Sequence, residues 1–166
     1  IDAAKRGCEE LILIGGPPCQ AYSLVGRARN RNVEDFFLKG DPRHFLYRQY
    51  LEILARFSPA VFIMENVKGI LTSRVGGREM FSAIRHDLSD PSNALGIRRS
   101  RNKSHRYVLL PIHVPDGVER SVDLVRDNPG GFIIRCEKHG VPQARHRVII
   151  MGIREDYMEP GVARIP

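Results

Sequence analysis

The 166-residue chain has no tryptophan, only three cysteines, and no apolar run approaching the roughly 18 residues that cross a membrane. Cys8, Cys19 and Cys136 cannot all pair and show no CxxC spacing, so neither a zinc site nor a disulfide scaffold is indicated. A reducing cytoplasm is the compartment this cysteine usage leads us to expect. No charged-then-apolar leader opens the chain, which argues against a secreted precursor. The chain starts at Ile1 rather than Met and stops on Arg164-Ile165-Pro166, so a piece of something longer is expected. Acids are also scarce, 19 against 26 Lys plus Arg, for a net charge of +7.

The shortage of acids is local. None occurs from Leu11 to Val33, where Arg27, Arg29 and Arg31 stand, nor from Pro91 to Pro115, which carries Arg98, Arg99, Arg101, Lys103 and Arg106. Between Asn128 and Ile153 only Glu137 opposes Arg135, Lys138, Arg145 and Arg147. Three such segments in one small basic chain point to a polyanion, because phosphate neutralisation is what basic patches do best.

What is present suffices for a core: 42% of the residues are hydrophobic, and the length is that of about one domain. Leu11-Ile12-Leu13-Ile14 closed by Gly15-Gly16-Pro17-Pro18 reads as a buried strand ending in a sharp turn, and residues 21–40 as a polar loop. Asp41 and Pro42 then look like the cap and first position of a helix with an apolar face of Leu46, Tyr50, Ile53, Leu54 and Phe57, ended by Ser58-Pro59. Ala60 to Met64 is a second strand broken by Glu65-Asn66, and Met80, Phe81, Ile84 and Leu88 mark a helix stopped near Asp90-Pro91. Tyr107 to Val114 is doubtful as a strand because of Pro111. Phe132 to Cys136 and Val148 to Ile153 suggest an antiparallel hairpin. Strand, helix, strand, helix with short connections argues for an α/β fold with a mostly parallel, doubly wound sheet.

In such a sheet ligands bind outside the carboxyl ends of the strands. Cys19 follows the first strand and Glu65 the second, so neighbouring strands would bring a thiol and a carboxyl together although 46 positions separate them. Read alone, Cys19 is as compatible with a small buried hydrophobe, and Glu65 with a surface acid at a strand end.

Larger blocks carry a resemblance. Gly15-Gly16-Pro17-Pro18-Cys19-Gln20-Ala21-Tyr22-Ser23, Glu65-Asn66-Val67-Lys68-Gly69 and Gly140-Val141-Pro142-Gln143-Ala144-Arg145-His146-Arg147-Val148 resemble motifs IV, VI and VIII of the cytosine-5 DNA methyltransferases. Asp41-Pro42-Arg43 with Leu46 resembles motif V. Order and approximate spacing match from residue 11 to 154 and thin across 92–131, where an insertion is expected. The resemblance implies part of a Rossmann-like, S-adenosyl-L-methionine-dependent methyltransferase fold. It also implies DNA (cytosine-5-)-methyltransferase activity on a base flipped out of the duplex. Cys19, Glu65 and Arg145 match the family's nucleophile, its proton-sharing acid and the arginine at the ring oxygen. Gln20, Ser23, Asn66, Val67 and Arg147 match positions around the substrate, Asn66 as the residue pinning the Pro18-Cys19 loop and Arg147 as the more structural arginine. Pro18 and Leu46 match cofactor contacts, and no metal is implied.

The family's glycine-rich Phe-x-Gly-x-Gly cradle and its target-recognition region have no counterpart in these residues, so residues 1–166 are expected to be a partial catalytic domain, inactive alone. Double-stranded DNA is the expected partner, with a cognate restriction endonuclease as a functional one and self-association through an exposed sheet edge. The setting expected is the cytoplasm of a bacterium or phage host, near the nucleoid. A tRNA cytosine-5 methyltransferase of the same family, or a non-catalytic nucleic-acid-binding module with a decayed core, are the alternatives. Intact Cys19, Glu65 and Arg145 speak against decay.

Overall fold

The computed structural model describes residues 10–18, 42–75, 78–97, 105–113 and 128–158. The first apolar run forms strand β1, Ile12–Gly15, and helix α1, Pro42–Phe57, crosses from it to β2, Val61–Val67. A short ladder of β3, Arg74–Val75, with β4, Arg78–Glu79, leads into helix α2, Met80–Ser89, and the single turn of α3, Pro91–Ala94. Strands β5, Tyr107–Pro111, β6, Ile133–Arg135, and β7, His146–Arg154, complete the described elements.

Local chemistry sets the boundaries. Pro59 disfavours helical geometry in the residue before it, and Ser58 leaves the helix with a φ of 45°. The Ser58 carbonyl accepts a hydrogen bond from Arg154 Nη1, which ties the α1–β2 turn to the far end of β7. Asp90 and Pro91 act twice: they end α2, and Asp90 Oδ1 accepts the Asn93 N–H at 3.1 Å, capping α3 with proline at its first position.

β1 and β2 pair in parallel, Ile12 opposite Val61 and Gly15 opposite Met64. β7 lies antiparallel on the other side of β2, with Val61 opposite Ile153 and Val67 opposite Arg147. Beyond β7, β5 and β6 lie in line, each antiparallel to it. Four of the five strands of this sheet therefore point one way and β7 opposes them: a mostly parallel sheet with a C-terminal antiparallel hairpin, as the sequence pattern predicts.

Two expectations about the strands change. β2 does not break at Glu65-Asn66 but continues through Val67, because β7 supplies ladder partners along its whole length. Pro111 is the last residue of a true strand; among the described residues β5 pairs only with β7, and an edge position tolerates a residue without N–H. Part of segment 92–131 thus belongs to the central sheet.

The core lies on one face. Phe62 and Met64 of β2, Val148 and Ile150 of β7 and Leu109 of β5 meet Tyr50, Leu51 and Leu54 of α1 and Phe81, Ile84 and Leu88 of α2. The Phe62 ring stands edge-on to Tyr107 at 5.0 Å and to Tyr50 at 6.3 Å. It lies against β7 so closely that a Cβ on Gly152 would come within 2.1 Å of it. Tyr107 donates to the Pro59 carbonyl at 3.0 Å, and burial pushes its phenol well above the ordinary range. On the opposite face Ile12 and Ile14 are 63% and 72% exposed. The α1 face differs slightly from the sequence reading: Leu51 is buried, whereas Leu46 is exposed.

Candidate active site

β1 gives way at its carboxyl end to Gly16-Pro17-Pro18, and the parallel register sets Glu65, Asn66 and Val67 of β2 beside that turn. Side chains alternate along a strand, so Asn66 turns toward the core and Glu65 toward the opposite face. The two residues do different things there.

Asn66 is 6% exposed. Its Nδ2 donates to the Pro17 carbonyl at 3.2 Å and its Oδ1 accepts the Val67 N–H at 2.8 Å. A buried amide left unpaired costs about 1–3 kcal/mol, so both bonds hold the side chain in this orientation. The first spans 49 residues of sequence and fixes a carbonyl two positions before Cys19.

Glu65 lies opposite Ile149, and Val67 opposite Arg147, which makes Glu65 and Arg147 diagonal neighbours on one face of an antiparallel pair. Arg147 Nε is 2.7 Å from Glu65 Oε1, and Nη1 of the same guanidinium donates to the His146 carbonyl at 2.8 Å. The arginine side chain is 20% exposed and the acid 47%, so one oxygen is held while solvent still reaches the carboxyl. The Gly16 backbone approaches from the other side: a Cβ there would lie 3.0 Å from Glu65 Oε2. Turn, acid and arginine thus converge at the carboxyl end of the parallel pair.

Arg145 stands two residues before Arg147, exposed on the turn between β6 and β7, where its carbonyl accepts the Cys136 N–H at 3.0 Å. Sequence reasoning gave Arg145 the nearer part and Arg147 a structural one; the geometry puts Arg147 on Glu65. Antiparallel register of β7 on β2 is the signal that would have found this pair. Pro18 is exposed at the end of β1, and Leu46 is 40% exposed in α1, whose N-terminal turns return to the same end of the sheet. Val67 is half-buried. Cys19, Gln20 and Ser23 lie outside the described residues. Among the described residues no group of three or more His, Cys, Asp or Glu is placed to hold a metal ion, and no helix is long and apolar enough to cross a membrane.

Residues 8–90 match the family described as C-5 cytosine-specific DNA methylase. The chain belongs to that family. Among curated methylase relatives, a type II methyltransferase of Bacillus paralicheniformis is 32% identical over 155 residues, which is 92% of this chain and 28% of the relative. A type II methyltransferase of a Picosynechococcus strain is 30% identical over 93% of this chain and 48% of its own. A DNA (cytosine-5-)-methyltransferase of Aeropyrum pernix is 29% identical over 96% of this chain and 30% of its own. The chain therefore spans between about a quarter and a half of the length of these relatives. In this family member the candidate site is built on two parallel strand ends and one antiparallel neighbour.

Proposed function

We propose that this chain is the catalytic middle of a DNA (cytosine-5-)-methyltransferase, acting on cytosine in DNA through a covalent cysteine adduct. The observation that carries the reading is the Asn66–Pro17 hydrogen bond, which anchors the turn leading into Cys19 beside Glu65. Carbon 5 of cytosine is a poor nucleophile. The Cys19 thiolate adds to carbon 6, the ring electrons move toward nitrogen 3, and Glu65 delivers or shares a proton there, leaving an enamine that is nucleophilic at carbon 5. S-adenosyl-L-methionine, on which the family depends, supplies the methyl group. Loss of the carbon 5 proton to a base, return of the nitrogen 3 proton to Glu65 and departure of the Cys19 sulfur restore the aromatic ring, the acid and the thiolate.

Arg147 Nε holds Glu65 Oε1 at 2.7 Å, which restrains the acid on the side from which it meets the ring. Arg145 is assigned to the ring oxygen and to steadying the thiolate, a role suited to a fixed cation beside a thiol whose ordinary pKa is about 8.5. Gln20, Ser23 and Val67 are assigned to the flipped base. Pro18 and Leu46 offer exposed apolar surface at the reacting end of the sheet, which fits the edge of a methyl donor; they would hold it together with parts of a longer protein. Those parts would add the glycine-rich cradle and the target-recognition region, with 92–131 as a family-divergent segment built around β5. The three acid-poor stretches suit duplex phosphates. A cognate restriction endonuclease is the proposed functional partner, in a bacterial or phage-infected cytoplasm.

The test is methyl transfer by the full-length protein to duplex DNA and to tRNA, followed by nucleoside analysis. The reading expects 5-methylcytosine in DNA; label confined to tRNA, or at another ring position, would overturn it.

A further inference from the structure

The turn that presents Arg145 is held by polar contacts alone, beginning at its neck with the Cys136 N–H to the Arg145 carbonyl at 3.0 Å. Residues 137–145 are exposed throughout, so apolar packing does not fix them. The segment opens with one 3-10 turn, Cys136–His139, and passes Gly140 at a φ of 80°. It then folds back on itself through Val141 N–H to the Cys136 carbonyl at 3.2 Å and Gln143 N–H to the Val141 carbonyl at 2.8 Å. The β6–β7 ladder ends with Arg135 opposite His146.

From that last pair His146 reaches on to Glu137: its Nε2 lies 2.7 Å from Glu137 Oε1, with the two side chains 30% and 36% exposed. Glu137 is the sole acid between Asn128 and Ile153, a stretch that also holds Arg135, Lys138, Arg145 and Arg147. Its own backbone N–H, the His146 ring and the Arg145 backbone N–H hold its carboxyl below the usual range. The one carboxylate of the segment is thus engaged at the neck of the turn by the residue that separates the two arginines.

We propose that Glu137 and His146 form a clasp that positions Arg145 for the reacting base, a role that rests on the methyltransferase reading above. Closing the neck sets where the chain enters β7, and so sets the point from which the Arg145 guanidinium reaches out. An exposed turn closed by backbone hydrogen bonds alone opens locally at low cost, and each opening removes Arg145 from its working position. Both are positioning residues. Neither touches substrate in this account.

Two measurements on the full-length protein test the clasp. Hydrogen exchange at the Val141 and Gln143 amides reads the turn, and single-turnover methyl transfer reads its use. Glu137→Ala and His146→Ala are each expected to speed exchange and slow transfer by about three- to tenfold, with DNA affinity and melting temperature close to wild type. The double variant should be no worse than either single one, and Glu137→Gln, which keeps an acceptor oxygen in place, should retain most of the rate. Unchanged exchange and unchanged transfer, or fully additive effects, would overturn the clasp. Faster exchange at unchanged transfer would confine it to stability and overturn the positioning role. If wild type itself transfers no methyl group to DNA, the functional reading fails, and the closure of the turn is judged on exchange alone.

Discussion

Asn66 and Arg147 each make two polar contacts, but their burial separates them in energy. Asn66 is enclosed, so Asn66→Ala strips both the Pro17 carbonyl and the Val67 N–H of a partner. We expect a loss of about 1–3 kcal/mol in stability by denaturant titration. A larger fall is expected in single-turnover methyl transfer, because the turn before Cys19 is released. Asn66→Asp keeps the acceptor for Val67 but removes the donor to Pro17, and should lose more rate than stability. Arg147→Lys keeps a positive charge near Glu65 yet cannot hold the carboxyl and the His146 carbonyl through one planar group. Since Glu65 is half in solvent, stability should change by less than about 1 kcal/mol while the transfer rate drops severalfold. A rate equal to wild type would show that the pair does not orient the acid.

At the scale of elements, the fit of β7 beside β2 decides the sheet. Gly152→Ala would drive a methyl group into the Phe62 ring, and we expect destabilisation on the order of 3 kcal/mol by thermal melting. Partial recovery is expected in Gly152→Ala combined with Phe62→Leu. Two residues on, at the C-terminal end of β7, Arg154 pairs with Asp156 at 2.7 Å and 3.1 Å and holds that carboxyl below its usual range. Its contribution is complete above the ordinary aspartate range and fades as pH falls through the depressed folded value. Asp87 has the opposite sign: burial raises it, so its ionised form weighs against folding and that penalty lifts on acidification. Asp156→Asn should therefore flatten the acid limb of a stability profile, by less than about 1 kcal/mol because the group is half exposed. Much of this layer was legible in the sequence. Continuous apolar runs marked β1 and β2, and Ser58-Pro59 and Asp90-Pro91 marked helix ends. Pro111 misled, because an edge position is a property of the assembled sheet. The Arg147–Glu65 and Glu137–His146 pairs were not legible either, since both depend on the register of β7.

At the scale of the molecule, the described helices α1 and α2 cover one face of the sheet, and Ile12 and Ile14 stand exposed on the other. The 166-residue chain prepared alone is accordingly expected to self-associate in solution scattering, and a pair of Ile12→Lys and Ile14→Lys changes should shift it toward monomer; a monodisperse unmodified chain would contradict this. The central claim concerns the parallel strands that carry the turn before Cys19 and Glu65 to one end of the sheet. It is tested most directly by incubating the full-length protein with the methyl donor and duplex DNA containing 5-fluorocytosine, then digesting and mapping the cross-linked peptide by mass spectrometry. A stable adduct on the peptide containing Cys19, lost in Cys19→Ala, is the predicted result. No adduct, or one that persists in Cys19→Ala, would contradict the account.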